Sequence, residues 1–84
     1  MTTNERVIIA TLCHLHAYPT GAGSQPYSTV LNKSELALFP FNAALNALMQ
    51  RKAVMISLGR EARCMLNTNV HCDNDLIHEN NKAK

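Results

Sequence analysis

The chain has 84 residues, a hydrophobic fraction of 46% and a net charge of +2 at pH 7. This length allows one domain with one small core, and the hydrophobic fraction favours a folded core over a disordered chain. The sequence has no run of about 18 apolar residues and no basic segment ahead of an apolar N-terminal stretch. It therefore predicts neither a membrane span nor a secretory signal, and we expect a cytoplasmic protein.

A helix is predicted at the N-terminus, beginning at Thr2 or Asn4 and ending near Ala17. Thr2 and Glu5 have the spacing of a capping box, in which each side chain accepts a hydrogen bond from the other residue's backbone N–H group. Apolar residues then recur at helical spacing. The predicted core-facing stripe consists of Ile8, Leu12 and Leu15.

A loop and a short strand are predicted next. Residues 18–26 contain two prolines and two glycines, and both residue types interrupt regular structure. Residues 27–31 include tyrosine, threonine and valine, which favour strands. We therefore expect a loop over residues 18–26 and a strand over residues 27–31.

Two helices separated by a break are predicted in the middle of the chain. Asn32 and Glu35 have the spacing of a second capping box, which predicts a helix over residues 32–39. Pro40 disfavours the helical conformation of its predecessor and lacks an N–H donor, so it predicts a break at residues 39–41. A further helix is predicted over residues 41–50. Its apolar face contains Ala44, Leu45, Leu48 and Met49, and its polar face contains Asn42, Asn46, Gln50 and Arg51.

A two-stranded hairpin follows the helices. Residues 54–58 and 62–66 alternate between large apolar and other side chains, and the Gly-Arg-Glu sequence at residues 59–61 predicts the turn. Beyond residue 66 the composition becomes polar, with a weak helix predicted over residues 73–80. The predicted core consists of Ile8, Leu12, Leu15, Leu36, Leu45, Leu48, Val54, Ile56 and Leu66.

Two segments resemble the winged helix-turn-helix superfamily. Residues 34–37 (Ser-Glu-Leu-Ala) resemble the opening of its second helix, and residues 44–54 resemble the end of its recognition helix and the exit into the wing. Ala53 stands where that pattern commonly has glycine. The resemblance covers roughly residues 5–66. It implies an α+β fold with three helices and a small antiparallel hairpin wing, to which the strand over residues 27–31 would pair as a third strand. It divides the chain into a winged-helix domain, residues 1–66, and a polar C-terminal extension, residues 67–84.

The predicted polar helix face carries side chains suited to reading DNA. Asparagine and glutamine can form paired hydrogen bonds with adenine, and residues 42, 46 and 50 lie in one row on a helix. Basic side chains and the start of the preceding helix are suited to phosphates. The predicted DNA-binding residues are Lys33, Ser34, Asn42, Asn46, Gln50, Arg51, Lys52, Arg60 and Arg63. The alternative is that the amides are only the solvent-exposed face of an amphipathic helix.

Cysteine and histidine do not predict a metal site. His14 and His16 are two residues apart on a predicted helix, where their side chains diverge by about 200°, and no C-x-x-C pair occurs. Cys13 and Cys64 are predicted to be small buried thiols, and three cysteines in a cytoplasmic chain do not predict a disulfide framework. No catalytic pattern is present either, so we expect no metal, no cofactor and no enzyme activity.

Two functions stay open. The first is a small DNA-binding transcription regulator of repressor, excisionase-like or partition type from a phage, plasmid or other mobile element. It would bind double-stranded DNA as a homodimer, with dimer contacts at the first helix and around Leu76 and Ile77. The second is a protein-binding inhibitor or adaptor, such as a phage-encoded inhibitor of a host defence complex. The low net charge favours this second function, as do Phe39, Phe41, Met55 and Met65.

Overall fold

A computed structural model describes residues 1–70 and residue 72. The elements in chain order are α1 (Thr3–His14), β1 (Gln25–Pro26), α2 (Tyr27–Ser34), α3 (Leu38–Gln50), β2 (Val54–Ser57) and β3 (Arg63–Leu66). Within this part of the chain the fold is α+β, with three helices and a three-stranded sheet. No helix among the described residues has the length and apolar character needed to cross a bilayer.

The sheet is antiparallel throughout and has the strand order β1-β3-β2. The predicted hairpin is confirmed, with Ile56 opposite Cys64 and Met55 opposite Met65. Cys64 and Leu66 are fully buried, and they alternate along β3 with side chains that are only half-buried. One face of the sheet therefore packs against the helices, and the third strand is much shorter than the other two.

The start of α1 is held by the predicted capping box. The Thr2 hydroxyl accepts a hydrogen bond from the Glu5 backbone N–H group, and the Glu5 carboxylate accepts one from the Thr2 backbone N–H group. The helix ends at His14, three residues earlier than expected. His16 has a φ of 54°, and the N–H group of Ala17 donates to the carbonyl of Leu12. This is a Schellman ending, which turns the chain back over the last helical turn.

The strand expected over residues 27–31 and the helix expected over residues 32–39 are both wrong. These residues instead form α2, and the strand that joins the hairpin is Gln25–Pro26. Val30 is fully buried on α2, so tertiary packing overrides the strand preference of the Tyr-Ser-Thr-Val sequence. Asn32 lies in the last turn of α2, and Glu35 follows its end with a φ of 60°. They therefore do not form a capping box.

The break expected around Pro40 is also wrong, because α3 already begins at Leu38. Pro40 is the third residue of this helix, where its missing N–H group would have had no partner within the helix. Phe41 is fully buried and meets the Tyr27 ring edge-on, with ring centroids 5.3 Å apart. The actual break between α2 and α3 lies at residues 35–37.

The core forms where α1, α2 and α3 meet the inner face of the sheet. Most of the predicted core is confirmed as buried, although Leu15, Leu36 and Ile56 are only half-buried at its edge. Leu58 points outward and is 85% exposed, since β2 ends at Ser57. Cys13 and Cys64 are buried as predicted, and Ala44 is buried on the predicted apolar face of its helix. The buried apolar residues outside these predictions are Ile9, Ala10, Ala17, Val30 and Phe41.

A disulfide links Cys13 on α1 to Cys72 beyond β3, with the two Cα atoms 5.5 Å apart. The expectation that no disulfide forms is therefore wrong for this pair. Among the described residues Cys64 is the free cysteine; it is buried as predicted, and burial raises the pKa of its thiol. The helix predicted over residues 73–80, with Leu76 and Ile77, lies outside the described residues.

Candidate nucleic-acid interface

The outer face of α3 is uncharged. The helix sequence, LFPFNAALNALMQ, contains no acidic or basic residue. Phe41, Ala44, Leu45 and Leu48 are buried on one side. The opposite side carries a stripe of exposed residues with helical spacings of four, three and four, namely Phe39, Ala43, Asn46 and Gln50. Asn42 and Met49, both exposed, flank this stripe.

The three amides expected to read bases lie together on this face, but they are not equally available. The Tyr27 hydroxyl donates a hydrogen bond to Oδ1 of Asn42, so part of the acceptor capacity of that amide is used within the chain. Asn46 and Gln50 are exposed, and neither amide bonds to any side chain or backbone group within residues 1–70. Asn46, in the middle of the helix, is therefore the amide best placed for paired hydrogen bonds to a ligand.

Two basic residues follow the C-terminal end of α3. The guanidinium of Arg51 lies 3.6 Å from Oε1 of Glu5, and the Arg51 side chain is 55% exposed. Lys52 is exposed and has a φ of 61°. The N–H group of Ala53 donates to the carbonyl of Leu48, which makes a second Schellman ending. The residue in the left-handed conformation is therefore Lys52 and not Ala53, so the absence of glycine at position 53 does not disturb this turn.

Glu5 offsets part of the charge of Arg51. The Thr2 hydroxyl donates a 2.7 Å hydrogen bond to Oε2 of Glu5 and lowers the pKa of this carboxyl below its ordinary value; burial opposes the shift, and the charge of Arg51 adds to it. Oε1 of Glu5 is buried without a hydrogen bond, although it faces Arg51. Any phosphate that approaches Arg51 would therefore compete with an ionised carboxylate.

The hairpin contains two arginines, of which one is bonded to neighbouring residues and the other is not. Arg63 donates to the hydroxyl and carbonyl oxygens of Ser24, at 3.0 and 2.9 Å, and to the carboxylate of Glu61 at 2.8 Å. Arg63 thus holds the loop before β1 against the hairpin, and Glu61 offsets its charge. Arg60, at the hairpin turn, is exposed and forms no ion pair within the described part of the chain.

The expected phosphate contact at a helix start is wrong for Lys33 and Ser34, because both lie in the last turn of α2. Ser34 is buried: its hydroxyl donates to the carbonyl of Leu31 at 2.7 Å and accepts from the N–H group of Leu36 at 3.2 Å. Lys33 is exposed. Of the predicted basic residues, Lys33, Lys52 and Arg60 thus keep their charges free of partners among the described residues.

An apolar groove of about 520 Å³ runs between α3 and the hairpin. The sequence predicts a strand that continues to residue 58, whereas β2 ends at Ser57 and the Leu58 side chain lies outside the core, where it lines this groove. The groove adjoins the three exposed amides of α3, since Asn42 and Asn46 are part of its wall. Its lining residues are Tyr27, Asn42, Ala43, Leu45, Asn46, Met49, Ile56, Leu58 and Ala62.

Other parts of the described chain contain fewer features of a binding site. A cleft of about 380 Å³ beside the disulfide has no charged residue and no residue of α3 in its lining. In residues 1–70 and 72, no three side chains of His, Cys, Asp or Glu lie close enough to share a metal ion. Comparisons with protein-family models, with curated proteins and with solved structures find no match to this chain.

Proposed function

We propose that the chain is a winged-helix protein that binds double-stranded DNA, with α3 in the major groove and the hairpin beside the phosphate backbone. The observation that carries the proposal is a pair of amides, Asn46 and Gln50, without hydrogen-bond partners in residues 1–70. They lie on the exposed face of a helix that packs on the core beside the hairpin. The element order α1-β1-α2-α3-β2-β3 supports it, because it is consistent with the superfamily that the sequence resembles.

The chemistry of the proposed contacts divides between bases and phosphates. The amide of Asn46 matches the donor and acceptor on the major-groove edge of adenine. Arg60 and Lys52 would neutralise phosphates and fix the position of α3 without reading sequence. Since few cations are uncommitted among the described residues, nonspecific affinity should be low and specificity should depend mainly on α3.

The proposal includes a role in transcription regulation. It also includes a homodimer, because two copies would double the small area that one chain places against DNA. The apolar residues Ile8, Ile9 and Leu12 of α1 are buried within the chain, so a dimer contact through α1 would use its polar side. A cytoplasmic location is also proposed. The Cys13–Cys72 bond argues against it, since disulfides are rare in reducing compartments. Trapping the thiols with a blocking agent at cell lysis tests that point.

The experiment is a comparison of three variants on a DNA site selected from a random duplex pool. Asn46→Ala should weaken binding to the selected site by about 1–3 kcal/mol and leave random DNA unaffected. Arg60→Ala should weaken both about equally. Asn69→Ala is the matched control, because Asn69 is an exposed amide in the turn after β3. Equal affinities for all three variants and the native chain would contradict the proposal.

A second candidate is a protein-binding inhibitor or adaptor, which the apolar groove and the 84% exposed side chain of Phe39 favour. Its partner would be an amphipathic helix whose apolar side enters the groove between α3 and the hairpin. Phe41 no longer supports it, because this side chain is fully buried. A chain that binds no DNA, and whose partner binding is lost on Leu58→Ser, would establish this second function in place of the first.

A further inference from the structure

We infer that the exposed face of α3 selects A·T base pairs and recognises the C5 methyl group of thymine. The inference rests on the proposed function and names its substrate class: duplex DNA rich in A·T pairs, read from the major groove. Three features of the face lead to it, namely the charges it lacks, the amides it offers and the apolar side chains around them.

The lack of charge disfavours G·C pairs. Guanine presents two acceptors in the major groove and is read mostly by arginine or lysine, whereas the amino group of cytosine is read by a carboxylate. No residue of α3 carries a charge. The neighbouring Arg63 and Glu61 form an ion pair with each other, and Arg51 forms one with Glu5. Lys52 and Arg60 lie outside α3, at its C-terminal end and in the hairpin turn, and are the residues proposed to contact phosphates. The face of α3 itself therefore lacks the side chains that would favour guanine or cytosine.

The amides favour adenine. Adenine presents one acceptor and one donor side by side, which the carboxamide of asparagine or glutamine matches with two hydrogen bonds. Asn46 and Gln50 keep both halves of this pair available within the described part of the chain. Asn42 accepts a hydrogen bond from Tyr27 and keeps its two N–H donors, so it is suited to a single acceptor such as O4 of thymine.

The apolar side chains favour thymine. Ala43 and Met49 lie three residues before and after Asn46, and Leu58 adds an 85% exposed side chain across the groove. The C5 methyl of thymine is the apolar group that unmodified DNA displays in the major groove. Covering it with these side chains removes apolar surface of both partners from water.

The test is a competition for a fluorescent duplex at low salt by four unlabelled duplexes of equal length. These contain A·T pairs, A·U pairs, G·C pairs or inosine·cytosine pairs. Uracil lacks the C5 methyl group of thymine. Inosine lacks the minor-groove amino group of guanine, so its pairs resemble A·T in the minor groove and G·C in the major groove.

The A·T duplex should compete at least about tenfold better than either the G·C or the inosine·cytosine duplex. Replacing thymine with uracil should weaken competition by about threefold for each methyl group contacted. Asn46→Ala should remove the preference for A·T, whereas Asn69→Ala should keep it.

Inosine·cytosine competing as well as A·T would overturn the inference in favour of minor-groove reading. Equal competition by A·T and A·U, or by A·T and G·C, would also overturn it and leave the proposed function standing. Absence of binding to every duplex would overturn the proposed function itself.

Discussion

Breaking the Cys13–Cys72 disulfide should lower the free energy of unfolding by about 4 kcal/mol. The bond joins residues 59 positions apart in the sequence. A cross-link restricts the unfolded chain, and the chain-entropy relation gives about 3 kcal/mol for a loop of about 15 residues and about 4.7 kcal/mol for one of about 100. In a domain this small, that amount is a large part of the stability expected of the whole fold.

Urea denaturation of the oxidised and the reduced protein measures this loss. With an m-value of about 1–2 kcal/mol/M, the unfolding midpoint should fall by roughly 2–4 M. Cys72→Ser is the control: its midpoint should match that of the reduced native chain and should not change when reductant is added. A difference below about 1 kcal/mol between oxidised and reduced protein would refute the reasoning.

Three further predictions concern the fold. Leu48→Ala should lower the free energy of unfolding by about 2–5 kcal/mol, because the side chain is fully buried, and a loss below about 0.5 kcal/mol would contradict its place in the core. Because hydrogen bonding to Thr2 lowers the pKa of Glu5 in the folded state, Glu5 stabilises the fold above its ordinary pKa, and this contribution is lost as the pH falls through the folded value. Thr2→Ala should flatten that acid dependence in thermal unfolding measured across the acidic range, and an unchanged pH profile would contradict it. Glu35→Gly should raise stability by about 0.5–1 kcal/mol in chemical denaturation, since the residue has a φ of 60°, whereas Glu35→Ala should give no gain.

The sequence predicted the parts of the fold that depend on local patterns. The capping box of α1 and the β2–β3 hairpin are defined by residues a few positions apart, and both are confirmed. The residues around Val30 prefer a strand, which is the conformation that the local pattern predicts. The folded chain instead buries Val30 on a helix, and a local pattern does not contain that information. The effect of Pro40 depends on its position in the helix: proline ends a helix from the interior but is tolerated in the first turn, and the sequence pattern does not fix where α3 begins.

The parts of the candidate site that depend on local sequence patterns were also predictable. The exposed row of Asn42, Asn46 and Gln50 follows from the apolar periodicity of α3. The commitment of Arg63 to Ser24, 39 residues away, does not follow from any local pattern. The long-range contact between Arg51 and Glu5 was unpredictable too, as was the disulfide to Cys72, since each depends on how distant segments meet in the folded chain.

The central claim is that α3 and the hairpin bind DNA, and the salt dependence of binding to a random duplex tests it most directly. Three of the predicted DNA-binding residues are basic and have no partner among the described residues: Lys52 follows the end of α3, Arg60 lies in the hairpin turn, and Lys33 lies in the last turn of α2. If two or three phosphates are contacted per bound chain, a plot of log affinity against log salt concentration should have a slope of about −2 to −3. Arg60→Ala should make the slope shallower by about one. Binding that does not change with salt, or no binding at low salt, would contradict the account.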